Sequence, residues 1–599
     1  MLRWSNNNNL DYKKVNPELC FLYQRWQELL EARTLDMYQY NILNSCVACI
    51  ELQDVVEKTL EGLLLFRQNV DDSKEETLEL VKQDFILDAH NKTLQKTLLC
   101  VLGSRLGKYK QEDANRQKDD FYLTLKRLKY QLTRPCKTLS DTYPKYIFDE
   151  LKKTIGDGDK PKIEKCIMAL ISQCIHNGWS AKGLFELSHI FEGSGDVESK
   201  LHKFSESIFP YAKNEYKIYF NINLGTHTNK EHVFEIINEL GIVVKRGNDI
   251  SVNGNSCDPA FSTDKSYAVV DVSANDLNAA VLISLNKLHN KLSVATFYNI
   301  ISPYVAASPS IIVVDNRHKV IPMKITDVIK TYDYVDSSND IYEMTKNIIK
   351  GDNNEVITRL SAAFAYTNLS RSSYFQETKF ITLWIALESI MRSGQYSDIV
   401  SNVKRILPAA LCARYFYKMA RNFIEDCLRC NIKILNVENI TINFELPDKV
   451  NLVKSLICVF RTEQHYENLL QKCEVNDLLY YRCEELRYIF NDLDKIREKI
   501  THFKRKVEWH IQRIYRIRNE ITHSAFRDER SLMIYIEHLY SYLSQLISEI
   551  VFYVERKGTT SIEAIYASLE TNYSVFEELS NNTPPPIIDF LPEGIIDIV

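Results

Sequence analysis

The stretch Ile514–Ser524 reads Ile-Tyr-Arg-Ile-Arg-Asn-Glu-Ile-Thr-His-Ser. At about 100° per residue its three isoleucines fall on one side of a helix and are expected to face a core. The stretch also closes the most basic segment of the chain, residues 495–518, whose only carboxylates are Glu498 and Glu508. A protein of formal net charge -5 that gathers cations here is predicted to bind a phosphate-bearing partner.

The polar side chains of this stretch form a candidate site. Arg516, Asn519 and His523 fall on the side opposite the isoleucines, and the Asn519 amide is one turn from the imidazole that it can orient. Arg518 lies about 140° from His523 on a continuous helix. The two converge only if the helix ends near Thr522, if the arginine wraps round, or if a second subunit completes the site. The alternative is a basic amphipathic helix with a solvated histidine.

The segment Arg518-Asn519-x3-His523 resembles the Arg-x4-6-His signature of the HEPN superfamily, helical domains that include metal-independent ribonucleases. The family's common form also has Asn directly after the Arg. A second stretch, Phe380–Met391, reads Phe-Ile-Thr-Leu-Trp-Ile-Ala-Leu-Glu-Ser-Ile-Met and resembles the first helix of the Apea-like HEPN branch of bacterial anti-phage defence proteins. The resemblance covers the C-terminal third of the chain.

Glu388, in the second stretch, is a candidate supporting residue. The apolar side chains around it, Leu383, Leu387, Ile390 and Met391, are expected to face the core of a bundle. Glu388 is then either a surface charge or a partner of the motif arginine, because a carboxylate buried in so apolar a run requires a cation.

The chemistry that the resemblance implies is metal-independent RNA hydrolysis. RNA supplies its own nucleophile, the 2′-hydroxyl next to the scissile phosphate. A histidine with a pKa of about 6.5 can remove that proton or protonate the leaving 5′-oxygen. An arginine presents a planar fork of donors to the phosphate oxygens. The expected products are a 2′,3′-cyclic phosphate and a 5′-hydroxyl, and we expect no metal and no cofactor.

In this interpretation the endoribonuclease uses Arg518 to stabilise the phosphate, His523 as acid or base, and Asn519 to position them. Arg513 and Arg516 are candidate RNA-binding contacts. One chain offers one strong Arg/His pair, whereas an acid and a base together usually need more than one histidine, so we expect a homodimer, as the resemblance also implies. The expected partners are RNA, with tRNA as one candidate, and an unknown phage trigger or regulatory partner.

By resemblance, the nuclease acts in antiviral defence through abortive infection. It is held quiet until a trigger releases it, and cleavage of host or phage RNA then arrests growth. Two alternatives stay open, a non-catalytic HEPN module that only dimerises or binds RNA, and a toxin controlled by a separate antitoxin. The large N-terminal region favours control within the chain, since free-standing toxins tend to be small.

The 599 residues predict a mainly α multidomain protein. Apolar residues at three- and four-residue spacing indicate helices in both end regions, whereas Glu215–Leu224 alternates like a strand and helix-like runs follow it. The expected units are a helical N-terminal region (1–195), a central α/β or α+β domain (205–340), an HEPN-like helical domain (341–560) and a C-terminal tail (561–599). The central domain has no nucleotide loop, and we expect it to sense or to scaffold.

The compartment is predicted from what the sequence lacks. Met1–Lys14 has no apolar core of a signal peptide, and no apolar run approaches the ~18 residues of a membrane span. We therefore expect a cytoplasmic protein with no membrane contact and with reduced cysteines. Two pairs, Cys46/Cys49 and Cys427/Cys430, have the spacing of a zinc site, but both lie in helix-like apolar sequence in different units. Buried helical thiols are the expected outcome.

A second basic helix is predicted at Phe121–Arg134. Its leucines at 125, 128 and 132 share one face, and Lys126, Arg127, Lys129 and Arg134 occupy the rest. The pattern is typical of a solvated face, with nucleic-acid contact as the alternative.

Overall fold

The structure is a computed structural model in which helix predominates, as the sequence predicts. It describes residues 17–30, 43–64, 67–107, 120–192, 196–209, 213–223, 229–252, 255–256, 259–302, 306–329, 339–350, 355–392, 398–437, 440–446, 449–524 and 532–582. Pro584–Pro586, in the predicted C-terminal tail, lie outside these residues. None of the helices in these ranges is long and apolar enough to span a membrane.

The N-terminal helices share one apolar core, in which Trp26, Phe121 and Phe204 are fully buried. They are α1 (Pro17–Leu30), α2 (Ser45–Leu60), α3 (Arg67–Gln83), α4 (Phe85–Leu102), α5 (Asp120–Asp157), α6 (Lys160–His176), α7 (Ala181–Leu187), a 3-10 turn (Ser188–Phe191) and α8 (Val197–Ile208). Because α8 buries Leu201, Phe204 and Ile208 here, this core extends past the boundary predicted at residue 195.

The central region contains a five-stranded sheet of order β2-β5-β1-β6-β7, and every neighbouring pair is antiparallel. Its elements are β1 (Asn214–Asn223), α9 (Lys230–Glu239), β2 (Val243–Arg246), a 3-10 turn (Gly247–Asp249), β3 (Ser251–Val252), β4 (Asn255–Ser256), β5 (Ser266–Ala274), α10 (Leu277–Phe297), β6 (Ala306–Val314), β7 (Val320–Lys324) and α11 (Ile325–Ile329). Alternation along β1 sends Ile218 and Phe220 to the core shared with α9 and α10 and Tyr219 to the other face. Because the strands of this sheet are antiparallel, the central region is of the α+β type and not of the α/β type.

The C-terminal helices enclose the third and largest core. The elements are α12 (Asn339–Lys350), α13 (Glu355–Ser372), α14 (Gln376–Met391), α15 (Ile399–Ala413), α16 (Tyr415–Arg429), β8 (Ile434–Val437), β9 (Ile440–Asn443), α17 (Lys449–Arg461), α18 (Glu463–Cys473), α19 (Asp477–Phe490), α20 (Leu493–Asn519), α21 (Leu532–Lys557) and α22 (Ile562–Asn582). As predicted, Ile514 is buried here, and Ile517 and Ile521 pack against the same core.

Helix α22 corrects the prediction that a tail begins at residue 561. Its buried residues Ile562, Ile565, Tyr566 and Leu569 follow the three- and four-residue spacing of one helical face. Tyr566 also donates a hydrogen bond of 2.6 Å to the carbonyl of Ile390. These contacts place the part of α22 from Ile562 to Leu569 in the bundle.

The N-terminal helices pack directly against the C-terminal bundle. The Phe21 ring of α1 lies 5.0 Å from the Tyr481 ring of α19, centroid to centroid, and Leu478 and Ile534 of the bundle join the N-terminal core. Helix α3 lies along α20, where Asn69 accepts a hydrogen bond of 2.8 Å from Gln512. Helix α20 is therefore covered on one face by its own bundle and on another by the N-terminal region.

Candidate functional site

The backbone changes its winding within the Arg-Asn-x3-His stretch. Helix α20 ends at Asn519 and continues as a π-helical turn, Glu520–Ser524. Thr522 Oγ1 donates to the carbonyls of Arg518, at 2.9 Å, and Asn519, at 3.3 Å. A π turn bonds residues five apart rather than four. The angle about the helix axis between positions 518 and 523 is therefore smaller than on a continuous α-helix. The two positions come closer in this way without the helix ending near Thr522. The side chain of His523 lies outside the described part of the structure.

The Arg518 guanidinium is held from two directions. Its Nη1 donates to Asn519 Oδ1 at 3.0 Å, and its Nη2 lies 3.9 Å from Glu388 Oε1 on α14. Glu388 also accepts from the indole N–H of buried Trp384, whose ring is 5.7 Å from that of Tyr515. The side chains of Arg518 and Glu388 are each 27% exposed. The guanidinium is thus oriented by the bundle and still meets the surface.

These contacts bear on two residues named from the sequence. Glu388 combines the two environments considered from the sequence, since its side chain is 27% exposed and its Oε1 lies 3.9 Å from the guanidinium of the motif arginine. For Asn519 the described contact is to Arg518, so its amide oxygen orients the arginine.

Lys58 is a neighbour of the candidate site that sequence reasoning missed. Its Nζ lies 3.0 Å from Glu520 Oε1, inside the π turn, and 2.6 Å from Asp54 Oδ2 on its own helix. Burial lowers the pKa of Lys58, but Asp54 and Glu520 outweigh it and raise that pKa above its ordinary value. A charged lysine of the N-terminal region therefore fixes the turn that carries the motif. The two residues are 462 positions apart, and no local pattern connects them.

The structure corrects the roles predicted for Arg513 and Arg516. Their residues are 4% and 5% exposed. Arg513 Nε donates to Glu51 at 2.9 Å and Arg513 Nη2 donates to Glu76, whereas Arg516 binds Glu51 and Ser73 Oγ, the latter at 2.9 Å. Both guanidinium groups are enclosed between α2, α3 and α20. They are interface ion pairs and have no free surface to offer an RNA backbone.

The pKa values of Glu51 and Glu76, the two carboxylates that bind these arginines, are shifted in opposite directions. Burial favours the neutral form of Glu51, but Arg513 and Arg516 together outweigh it and hold the pKa of Glu51 at about 2. The pKa of Glu76 is raised, because burial and the neighbouring Glu51 exceed the effect of its single contact with Arg513. Glu51 is therefore the carboxylate that pairs with both arginines, and Glu76 pairs with Arg513 alone.

Two further histidines lie inside the bundle. The His510 and His538 ring centroids are 4.7 Å apart, and His510 Nδ1 is 2.8 Å from the Tyr542 hydroxyl. Burial and the neighbouring His538 and Arg513 lower the pKa of His510 well below its ordinary value. Both rings are buried, so neither is placed to meet an RNA phosphate.

The cysteine pairs with zinc-like spacing are free thiols. Cys46, Cys49 and Cys427 are buried, as predicted, and Cys430 is partly buried. Across the described ranges, no group of three or more His, Cys, Asp or Glu side chains could hold a metal ion.

Comparison of the chain with protein-family models, curated proteins and solved structures found no match. The chain is a mainly helical protein in which the basic helix α20 ends in an Arg-Asn-x3-His turn. Glu388 of α14 contacts the arginine of this turn, and Lys58 of the N-terminal region pairs with its Glu520.

Proposed function

We propose that the protein is a metal-independent endoribonuclease of the HEPN type and that Arg518 and His523 carry the chemistry. One observation carries the proposal: Arg518, followed by Asn519 and, after three residues, by His523, sits at a π-helical turn, partly exposed and oriented by Glu388. Such turns occur often at functional sites. A purely solvated basic helix has no need of a carboxylate, an amide and an indole that together orient one arginine.

The proposed reaction needs no co-reactant. His523 takes the proton of the 2′-hydroxyl, and the 2′-oxygen attacks the adjacent phosphorus. The bond to the 5′-oxygen breaks, and a general acid returns a proton to that oxygen. Arg518 donates to the phosphate oxygens as their charge grows. Its 3.9 Å separation from Glu388 is long for an ion pair, so its donors are not consumed by the carboxylate. The acid is proposed to be His523 of a second subunit in a homodimer.

The biological role proposed is antiviral defence by abortive infection in the cytoplasm, with RNA, including tRNA, as substrate. Control within the chain is supported by the Lys58–Glu520 pair, which joins the N-terminal region to the motif turn at 3.0 Å. A toxin held by a separate antitoxin would not need this contact. A non-catalytic module that binds RNA or dimerises is the alternative that the following experiment tests.

The experiment is a cleavage assay in EDTA with a single-stranded RNA and the same oligonucleotide carrying 2′-deoxy sugars. Wild-type protein is expected to cleave only the ribose strand and to leave 2′,3′-cyclic phosphate and 5′-hydroxyl ends. Arg518→Ala, purified in parallel, is expected to be slower by about 10²–10³-fold, as when one donor to a developing oxyanion is removed. Cleavage of the deoxy strand would contradict the mechanism, and equal rates in both proteins would reveal a contaminant. Binding of RNA without cleavage, both by the wild type and by a Lys58→Ala variant that loses the contact to Glu520, would favour the non-catalytic module.

Glu388→Gln separates the orientation of Arg518 from the stability of the bundle. The pair is long and partly exposed, so the free energy of unfolding is expected to change by less than about 1 kcal/mol. The cleavage rate is expected to fall about tenfold or more, because a small misplacement of a catalytic group is costly. Melting curves and single-turnover rates measure the two effects. Glu388→Asp, which keeps the charge, should recover part of the rate, and a rate unchanged in both variants would remove Glu388 from the site.

A further inference from the structure

Helix α5 presents a basic face that the proposed site does not use. Leu125, Leu128 and Leu132 are buried in the N-terminal core, and the opposite side is exposed. That side carries Lys126, Arg127, Tyr130, Arg134 and Lys137, which we call the α5 stripe. At 100° per residue its five members fall within an arc of about 100° and extend about 17 Å along the helix.

Within the described ranges, no acidic side chain forms an ion pair with the cations of the α5 stripe. Residues 121–140 contain no aspartate or glutamate. Lys129, which points away from the stripe, pairs with Glu57 of α2. Among the described residues, none of the four stripe cations takes part in an ion pair. In a chain of formal net charge -5, this unpaired positive surface is suited to an anion outside the protein.

Tyr130 gives the stripe a second chemical character. It is 85% exposed, between Arg127 and Arg134 on the helix surface. An exposed ring among cations is the combination by which proteins hold single strands, because bases stack on the ring while phosphates meet the cations. A duplex hides its base faces and has no such use for the tyrosine.

The stripe lies close to the proposed site. Helix α2 connects them, since its Glu57 pairs with Lys129 of α5 and its next residue, Lys58, pairs with Glu520 of the π turn. The axis of α5 and the turn are thus about two helix spacings apart, on the order of 20 Å, and the stripe lies farther out by the length of its side chains on the outer side of α5. Single-strand binding sites cover about 4–16 nucleotides, so one strand can reach both.

From these observations we infer that the α5 stripe is a docking surface for single-stranded RNA, on which the substrate is held while it enters the Arg518/His523 site. The inference rests on the proposed function, because it assigns to the stripe the substrate of that site. Stripe cations contact phosphates regardless of sequence, and Tyr130 stacks on a base.

The test measures binding apart from cleavage. The full-length protein is titrated against a fluorescent single-stranded 2′-O-methyl RNA, which lacks the nucleophile, over a series of salt concentrations. The variant Lys126→Gln/Arg127→Gln/Lys137→Gln is compared with a control of equal charge change in the central domain, Lys265→Gln/Arg317→Gln/Lys319→Gln, whose residues are also exposed. Circular dichroism melts verify that both fold.

The stripe variant is expected to bind at least tenfold more weakly at low salt, with the slope of log K against log salt reduced by about 2, since each lost phosphate contact removes about 0.7. Tyr130→Ala is expected to weaken binding about 5- to 150-fold with the slope unchanged. The control should match wild type. Equal affinity and slope in the stripe variant, equal losses in the control, or equal competition by polyglutamate would each overturn the inference.

The two proposals fail in different ways. Stripe-dependent binding together with no cleavage of ordinary RNA supports the docking surface and contradicts the proposed function. Cleavage by the wild type, with binding that ignores the stripe, overturns the docking surface and leaves the function standing.

Discussion

Replacing His523 with alanine is expected to slow RNA cleavage by about 10²–10⁴-fold, the usual contribution of a general acid or base. Arg518 and the π turn remain in this variant, so the affinity for uncleaved RNA is expected to change little. Single-turnover rates with a defined RNA measure the first effect, and titration with 2′-O-methyl RNA measures the second. The loss should therefore appear in the rate and not in the binding constant.

A control variant and the pH dependence of the rate provide further tests of the role of His523. His202→Ala removes an exposed histidine of α8 and is expected to leave the rate unchanged. Because one His523 must be unprotonated as the base and the other protonated as the acid, the wild-type rate should pass through a maximum near pH 6.5, and this maximum should be absent from His523→Ala. A variant as active as wild type would show that His523 takes no part in cleavage.

Glu51→Ala is expected to destabilise the fold by about 3–5 kcal/mol. The change leaves Arg513 and Arg516, both buried, with Glu76 as the remaining carboxylate of the cluster. Removing one partner of a buried ion pair leaves an uncompensated charge, and that desolvation accounts for the loss. Chemical denaturation at pH 7 measures it. Glu75→Ala, an exposed neighbour on α3, is the matched control and should cost less than about 0.5 kcal/mol.

The loss of folding stability at acidic pH tests the role of Glu51 a second time. The pKa of Glu51 falls from an ordinary 4.5 to about 2 on folding, so its contribution is present above pH 4.5 and disappears as the pH falls towards 2. The shift corresponds to about 3 kcal/mol. Glu76, whose pKa is raised, acts with the opposite sign and loses stability as the pH rises. Glu51→Gln should therefore flatten the decline between pH 4.5 and 2, and an unaltered decline would exclude Glu51 as its source.

Local patterns predicted much of the fold. Isoleucines at 514, 517 and 521 marked the inner face of α20, and alternation from Glu215 marked β1. The same kind of spacing is present in α22, at Ile562, Ile565, Tyr566 and Leu569, but the prediction of a tail from residue 561 passed over it. Periodicity shows which face of a helix or strand is apolar, and this is why α20 and β1 could be predicted from the sequence.

The candidate site was only partly within reach. The residue types of the motif were readable, but the π turn departs from a regular helix and has no periodic signature. The partners of Arg513 and Arg516 lie between 437 and 465 positions away, so their cation pattern appeared to be a free basic face. Whether an arginine meets solvent or a carboxylate depends on what packs over it, and that is a property of the whole fold.

The order of synthesis bears on how Glu51 and Glu76 come to pair with Arg513 and Arg516. A ribosome makes α2 and α3 more than 400 residues before the arginines of α20, and N-terminal units generally fold first. The acidic surface is therefore in place when the basic helix emerges. A nascent chain is therefore expected to complete the Arg-Asn-x3-His turn after the helices that pack against α20 have been made.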